Sequence, residues 1–174
     1  MMTDYQFPWE YNFPPFFTIQ INQDTRRAQL DAWRALVCNY CNHNNIFQLD
    51  IRSALNHQLF QNKAINRSLT KESLNVILED LREHGNLEWI DKDHTEFYIH
   101  WKSPSQWAQL LYAHANKKSL TNTVCTFYEL TGDDPSGEFY GLDENVLKKA
   151  IQILEKQGKA ALISFDGNEG VKFL

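Results

Sequence analysis

Two cysteines, Cys38 and Cys41, form the pattern in this chain that comes nearest to a metal-binding or redox motif. A structural zinc site needs four thiolate or imidazole ligands, and a single C-x-x-C pair supplies only two of them. No second pair follows at zinc spacing, and His43 alone does not complete the set. We therefore interpret both cysteines as buried or half-buried residues of a helix, and we expect neither a metal ion nor another cofactor.

The other residues that could do chemistry are scattered. None of the six histidines lies in a metal-ligand motif, and the chain has no G-x-S-x-G sequence, Walker loop or G-x-G-x-x-G sequence. The paired carboxylates Glu79-Asp80 and Asp133-Asp134 suit a solvated helix face and a loop, respectively. These observations predict a protein without catalytic activity.

The composition is that of an acidic globular protein, with a formal net charge of −5 and an apolar fraction of 43%. Nucleic-acid binding depends largely on clustered lysine and arginine, so the acidic balance argues against a nucleic-acid partner. No apolar run is long enough to span a bilayer, which predicts no direct membrane insertion. The N-terminal residues lack the basic and apolar regions of a secretory signal, so we expect a cytoplasmic location.

Residues 5–17 form a strongly aromatic stretch, with seven aromatic side chains among thirteen residues. Pro8, Pro14 and Pro15 disfavour an α-helix and favour extended or polyproline geometry, so we predict an extended arm over residues 1–23. A segment of this composition is too apolar to remain an idle tail. It either folds back onto its own domain or docks into a partner's groove, and one half can be anchored while the other half is presented.

The stretch 69–85 predicts a capped helix followed by a hairpin. Thr70 suits the N-terminal cap, and Gly85 suits the left-handed residue that ends a helix. Apolar residues between them recur at spacings of three and four, which places them on one face. Two apolar runs, residues 87–90 and 97–101, then flank a polar turn. Helix, strand, turn and strand in this order are the second half of a winged helix.

The same order of elements recurs 73 residues later, where residues 142–158 repeat the caps, apolar positions and terminal glycine of residues 69–85. Two copies of one supersecondary unit predict an α+β fold of two tandem winged-helix domains. We place domain 1, including the arm, at residues 1–102 and domain 2 at residues 103–174. A single α+β domain with a coincidental internal match is the alternative.

The charges of the two long helices bear on whether these domains bind DNA. A winged helix that reads DNA places its third helix in the major groove and supports it with basic residues. Residues 70–84 carry two cations and four anions, and residues 143–157 carry three of each. A nucleic-acid-binding transcription regulator is therefore the alternative function, and the charges disfavour it.

The second long helix has an apolar flank that the first helix lacks. Val146 and Ile153 lie to one side of its buried stripe, whereas the matching positions of the first helix are Ser73 and Asp80. Either the core is wider there or a partner helix lies on this flank, with lysines at the rim that attract acidic side chains. The predicted partner surface comprises Phe127, Tyr128, Val146, Lys149, Ile153 and Lys156.

Six motifs are spread along the chain. They are W-x-Y-x-F-P-P-F-F at residues 9–17, DTRRAQLDAW at 24–33, HGNLEWIDK at 84–92, TFYEL at 126–130, GLDE at 141–144 and GVKF at 170–173. Together these motifs resemble the small subunits of the ESCRT-II complex, and the resemblance spans almost the whole chain. It implies two tandem winged-helix domains and a non-enzymatic role in endosomal and multivesicular-body protein sorting.

The resemblance also implies partners. It implies a Y-shaped complex with two copies of this chain, each held by one of two larger winged-helix ESCRT-II subunits onto which domain 1 and the arm dock. Domain 2 would recruit and activate an ESCRT-III subunit, charged multivesicular body protein 6, and the complex would bring the chain to endosomal membranes. Phe17 stands where some relatives carry the tyrosine of P-P-x-Y, which favours apolar docking at this position. The assembly residues carried over are Trp9, Tyr11, Phe13, Pro14, Pro15, Phe16 and Phe17.

Overall fold

The computed structural model of the protein describes residues 4–174, apart from the side chain of Phe165. Residues 1–3 of the predicted arm lie outside the described residues. The chain divides into two compact units, Met1–Trp101 and Lys102–Leu174, and this division falls one residue from the predicted domain boundary. Each unit combines helices with antiparallel strands, so the predicted α+β class is confirmed.

The first unit is built around three strands that pair in the order β1-β5-β4, all antiparallel. Its helices are α1 (Gln23–His43), α2 (Ile51–Leu55) and α3 (Lys71–Glu83), and its strands are β1 (Gln48–Asp50), β2 (Gln61–Asn62), β3 (Arg67–Ser68), β4 (Leu87–Trp89) and β5 (Glu96–Ile99). Short 3-10 helices lie at Trp9–Asn12, Pro14–Phe17 and Lys63–Ile65. Helix α3 followed by the β4–β5 hairpin is the order of elements in a winged helix.

Helix α3 forms where the sequence predicts it. Thr70 Oγ1 accepts a hydrogen bond from Ser73 N at 3.1 Å, which satisfies one of the free amides of the first turn. Gly85, just beyond the helix, has a φ of +78°, a conformation that a side chain would strain. The predicted apolar face is buried in the core of the unit, and its residues are Leu74, Ile77, Leu78 and Leu81.

The prediction that Asp80 lies on a solvated helix face is wrong. Its side chain is 6% exposed, and Arg34 Nη1 of α1 donates to Asp80 Oδ2 at 2.7 Å. Arg34 also pairs with Asp31 at 2.8 Å, while Arg27 Nη1 and His84 Nδ1 lie 3.9 Å and 3.5 Å from Asp80 Oδ1. A carboxylate is tolerated inside a protein when cations and hydrogen bonds compensate its lost hydration. Asp80 thus joins α3 to α1.

The second unit repeats this arrangement with its own three strands in the order β6-β8-β7, all antiparallel. Its helices are α4 (Pro104–Lys117), α5 (Phe127–Thr131) and α6 (Glu144–Lys156), and its strands are β6 (Val124–Thr126), β7 (Ala160–Phe165) and β8 (Asn168–Phe173). A Cβ at Gly170 of β8 would come 2.7 Å from the carbonyl oxygen of Cys125. The missing side chain therefore lets β6 and β8 approach each other.

The internal repeat is present in the structure. Helices α3 and α6 each contain 13 residues and begin 73 residues apart. Asp143 caps α6 as Thr70 caps α3, since Asp143 Oδ1 accepts from Asn145 N at 2.9 Å. Gly158 follows α6 with a φ of +72°, matching Gly85. Cap, helix and stop are thus the same in both units.

Candidate docking site on the N-terminal segment

The N-terminal segment, residues 4–20, contains two 3-10 helices, Trp9–Asn12 and Pro14–Phe17. The predicted extended geometry of the arm is therefore wrong. Two prolines open the second of these helices, where a missing amide proton is not needed and where the φ of proline fits the helix. Phe16 N donates to Phe13 O at 2.9 Å and closes the turn.

One half of the N-terminal segment is anchored on the first unit by aromatic packing. Tyr11, Phe16 and Phe17 are buried. The Phe16 ring stacks on Trp33 of α1 with centroids 4.2 Å apart, and Phe17 meets the same tryptophan edge-on at 5.5 Å. Phe7 stacks on Tyr11 at 3.9 Å. Because truncating a buried phenylalanine costs about 3–5 kcal/mol, these contacts hold the segment firmly.

Hydrogen bonds from α1 fix the backbone around Phe16. Trp33 Nε1 and Gln29 Nε2 each donate to Phe16 O at 3.0 Å. Gln29 Nε2 also donates to Thr18 O at 2.8 Å, and Gln29 Oε1 accepts from Gln20 N at 3.0 Å. Side chains of α1 thus satisfy backbone groups of the segment that its short helices leave free.

Tyr11 ties the segment to the backbone that follows α2. Its hydroxyl lies within hydrogen-bonding distance of two carbonyl oxygens, those of Gln58 and Gln61, and is 2.7 Å from the latter. Asn62 Nδ2 donates to Tyr11 O at 2.8 Å. Burial, with a smaller contribution from Tyr40, raises the pKa of the Tyr11 phenol, so the hydroxyl stays protonated and able to donate.

The other half of the segment presents aromatic side chains to solvent. Trp9 is 70% exposed and Phe13 is 47% exposed, with ring centroids 5.6 Å apart. They form one wall of a groove of about 500 Å³, which we call the aromatic groove. Its lining residues are Trp9, Glu10, Phe13, Pro15, Phe16, Gln20, Thr25, Ala28, Gln29 and Ala32.

The second wall of the aromatic groove belongs to α1 and is not among the residues predicted from the sequence. Ala28 and Ala32 lie four residues apart and so face the same side of the helix. The signal available in the sequence is this pair of small residues beside an apolar helix face, because small side chains leave room for a partner. Among the predicted assembly residues, Tyr11, Phe16 and Phe17 are anchors, Trp9, Phe13 and Pro15 line the groove, and Pro14 is half-buried.

The partner surface predicted for the second unit is only partly present. Val146 is 1% exposed and Phe127 is 4% exposed, so the prediction that they belong to an accessible surface is wrong. The second unit packs both α4 and β7 against α6. More of the circumference of α6 is therefore covered than its own periodicity indicates, and for Val146 the wider core is the correct interpretation.

The remaining residues of that prediction fall into two places. Ile153 and Lys149 are half-buried and Lys156 is exposed, and their spacings of four and three place them on one face of α6. Tyr128, 68% exposed, instead lines a polar groove of about 410 Å³ that also includes Glu144. The structure therefore does not place Tyr128 in one groove with the face of α6.

The cysteine pair has no reactive thiol. Burial raises the pKa of Cys38 to about 11 and that of Cys41 to about 12, so both thiols stay protonated at neutral pH. Across residues 4–174, no group of three or more His, Cys, Asp or Glu side chains is placed to hold a metal ion. In the same part of the chain, no helix has the length and apolar character needed to cross a membrane.

Each unit thus combines a long helix with an antiparallel hairpin, and the first unit carries the exposed aromatic groove. The family model for ESCRT-II complex subunits matches residues 10–143, and the chain belongs to this family. The resemblance to ESCRT-II small subunits is thereby confirmed.

Individual relatives agree with this assignment. The chain is 46% identical over 171 residues to vacuolar protein-sorting-associated protein 25 of Xenopus laevis, covering 97% of this chain and 98% of that protein. It is 42% identical over 175 residues to the Homo sapiens protein of the same name, covering 99% of each. The crystal structure of subunit VPS25 of the endosomal trafficking complex ESCRT-II matches with a TM-score of 0.84 and 27% identity, covering 97% and 98%. A chain of the endosomal complex ESCRT-II (VPS22/VPS25/VPS36) matches with a TM-score of 0.79 and 27% identity, covering 95% and 98%.

Proposed function

We propose that this chain is a non-enzymatic subunit of ESCRT-II that acts in endosomal and multivesicular-body protein sorting. It works in the cytoplasm and reaches endosomal membranes through the complex. The observation that supports this best is the aromatic groove, where Trp9 and Phe13 are exposed although the other aromatic side chains of the segment are buried or half-buried. Exposed apolar patches of this kind mark protein interaction sites.

The partners at the aromatic groove are the two larger winged-helix subunits of ESCRT-II, each holding one copy of this chain. A solved ESCRT-II complex that matches this chain contains VPS22 and VPS36 together with VPS25. Tryptophan is among the residues that contribute most to binding energy at interfaces, so Trp9 is the principal contact and Phe13 supports it. Tyr11, Phe16 and Phe17 act indirectly, because they hold the wall of the groove in place.

Domain 2 recruits and activates an ESCRT-III subunit, charged multivesicular body protein 6, through the exposed face of α6. Ile153 lies on this face between Lys149 and Lys156. A half-buried apolar side chain with a basic rim suits an amphipathic helix that carries acidic residues beside its apolar face. This surface is narrower than the one that helix geometry alone suggests, since Val146 and Phe127 belong to the core.

A double variant, Trp9→Ala with Phe13→Ala, tests the docking role of the aromatic groove. We expect its affinity for the two larger subunits to fall at least about 100-fold, because central aromatic residues contribute about 2 kcal/mol or more each. Both side chains are exposed, so the melting temperature should stay near that of the wild type. Isothermal titration calorimetry and a thermal melt measure the two effects.

Ile21→Ala is the matched control, because Ile21 is 96% exposed and lies outside the aromatic groove. This variant should bind the larger subunits as the wild type does. Full binding by the double variant would contradict the proposed docking site. Retardation of duplex DNA by the wild type at physiological salt would instead support the alternative function, a nucleic-acid-binding regulator.

A further inference from the structure

Strand β7 forms an open edge of the sheet in the second unit. In the order β6-β8-β7 it pairs with β8, and no other strand of residues 4–174 lies beside it. Its sequence, AALISF, contains neither a charged residue nor a proline. Edge strands of this composition are the ones most prone to pair with a strand of another chain.

The register of the hairpin shows which backbone groups of β7 point outward. Phe165 faces Asn168 across the two-residue turn, and at the other end Leu174 N donates to Lys159 O at 2.9 Å. Hydrogen bonding toward the neighbour alternates along an antiparallel strand, so every second residue of β7 points its N–H and C=O away from β8. These outward-pointing residues are Ala160, Leu162 and Ser164.

One of these outward groups is already covered by a side chain of the same unit. Leu162 N donates to Glu155 Oε2 of α6 at 3.1 Å. A carboxylate accepts hydrogen bonds and cannot donate them, so Glu155 covers the amide of Leu162 and leaves its carbonyl free. Leu162 is also the central residue of the three that point outward.

We propose that Glu155 is an edge cover that prevents β7 from pairing with the β7 strand of a second copy of this chain. Antiparallel pairing about Leu162 would exchange two Leu162 N–H···O=C bonds and set Ala160 opposite Ser164, so the edge is complementary to itself. The amide of Leu162 is available for this pairing only when Glu155 releases it. Pairing would also bring two Glu155 carboxylates to one edge, where their like charges oppose it.

Two substitutions of Glu155 separate its hydrogen bond from its charge. In sedimentation velocity on the full chain, Glu155→Ala should strengthen self-association at least tenfold, because the amide of Leu162 is uncovered and the repulsion is lost. Glu155→Gln keeps an oxygen that accepts from this amide but loses the charge, so its association should lie between those of the other two proteins. The proposal is overturned if Glu155→Ala associates no more than the wild type, or if Glu155→Gln associates as strongly as Glu155→Ala.

Ser164→Pro tests whether the association uses this edge. Proline is tolerated where the amide points away from the sheet, and it removes one outward donor. Added to Glu155→Ala, it should return self-association to the wild-type level, and persistent association of the double variant would show that another surface is responsible.

Amide exchange at Leu162 gives a second measurement. In Glu155→Ala, exchange of the Leu162 amide should be faster than in the wild type at low protein concentration, and its rate should fall as the concentration rises. An exchange rate that does not depend on concentration would count against the proposal.

Discussion

Helices α3 and α6 hold equivalent places in their units, yet they differ on the flank that carries Asp80 in α3 and Ile153 in α6. This position is buried on α3 and partly exposed on α6. On α3 this flank carries Asp80, which is buried and paired with Arg34 of α1. The equivalent position of α6, 73 residues later, is Ile153, which is half-buried. A charge satisfied inside its own unit has little to gain from a partner, whereas an apolar side chain that is half-exposed gains about 25 cal/mol for each further Å² it buries.

The difference separates stability from binding in the two copies of one fold. The flank of α3 joins two helices of the first unit, so changes there should lower the free energy of unfolding. The flank of α6 is apolar and partly open, so changes at its exposed residue should affect a partner more than the fold. Three substitutions test this separation.

Asp80→Ala should have the largest effect, lowering the free energy of unfolding by about 3 kcal/mol, because it removes the buried carboxylate that joins α3 to α1 and leaves the Arg34 guanidinium, 22% exposed, paired with Asp31 instead of with two carboxylates. Chemical unfolding measures the change. Glu79→Ala is the matched control, since the neighbouring pair of Glu79 with Arg82 is exposed and contributes little. Equal and small losses of unfolding free energy in both variants would show that the ion pair of Asp80 with Arg34 does not stabilise the contact between α3 and α1.

Val146→Ala should come next, with a loss of about 2 kcal/mol in the free energy of unfolding, since it removes two methyl groups from a packed core. A thermal melt would show it as a lower midpoint for the second unit. A melting temperature within error of the wild type would mean that Val146 does not contribute to the core. Val146 would then again be a candidate for the partner surface of α6.

Ile153→Ala should have the smallest effect on stability, below about 1 kcal/mol, because the side chain is only half-buried. We expect it to weaken binding of charged multivesicular body protein 6 roughly tenfold, which corresponds to about 1.4 kcal/mol. Fluorescence anisotropy with the labelled partner measures the affinity. Gln152→Ala, at the exposed neighbouring position of α6, serves as the control and should bind normally. A loss of affinity in Gln152→Ala equal to that in Ile153→Ala would contradict the proposal that Ile153 contacts the partner.

Features set by residues within one or two turns were predictable from the sequence. The caps Thr70 and Asp143 and the terminal glycines Gly85 and Gly158 depend on local backbone geometry, and each lies where the sequence predicts it. Burial of Asp80 could not be predicted in this way, since its partner Arg34 lies 46 residues earlier. Helix periodicity gives the direction of a side chain and not what packs against it.

In the candidate docking site, too, local features were predictable from the sequence and contacts between distant segments were not. Aromatic composition identifies residues 5–17 as unusual and allows one part to be anchored and another exposed, but it does not separate the exposed Trp9 and Phe13 from the buried aromatic residues. It does not give the 3-10 geometry of the segment, where local bonds such as Phe16 N to Phe13 O form the turns and hydrogen bonds from Gln29 and Trp33 hold them against α1. Nor does it identify Ala28 and Ala32 as the opposite wall, because two alanines become a groove only when another segment packs beside them.

The hydrogen bonds from Trp33 and Gln29 to the N-terminal segment have a consequence for the thermodynamics of assembly. Ordering one backbone residue costs about 1–2 kcal/mol in conformational entropy, and a flexible arm would lose that amount for each residue fixed on docking. Here the segment is ordered before a partner arrives, so the loss belongs to the folding of the first unit. If docking uses the aromatic groove, this chain contributes a surface that is already ordered, so its own side of the interface adds none of the heat-capacity change that accompanies coupled folding and binding.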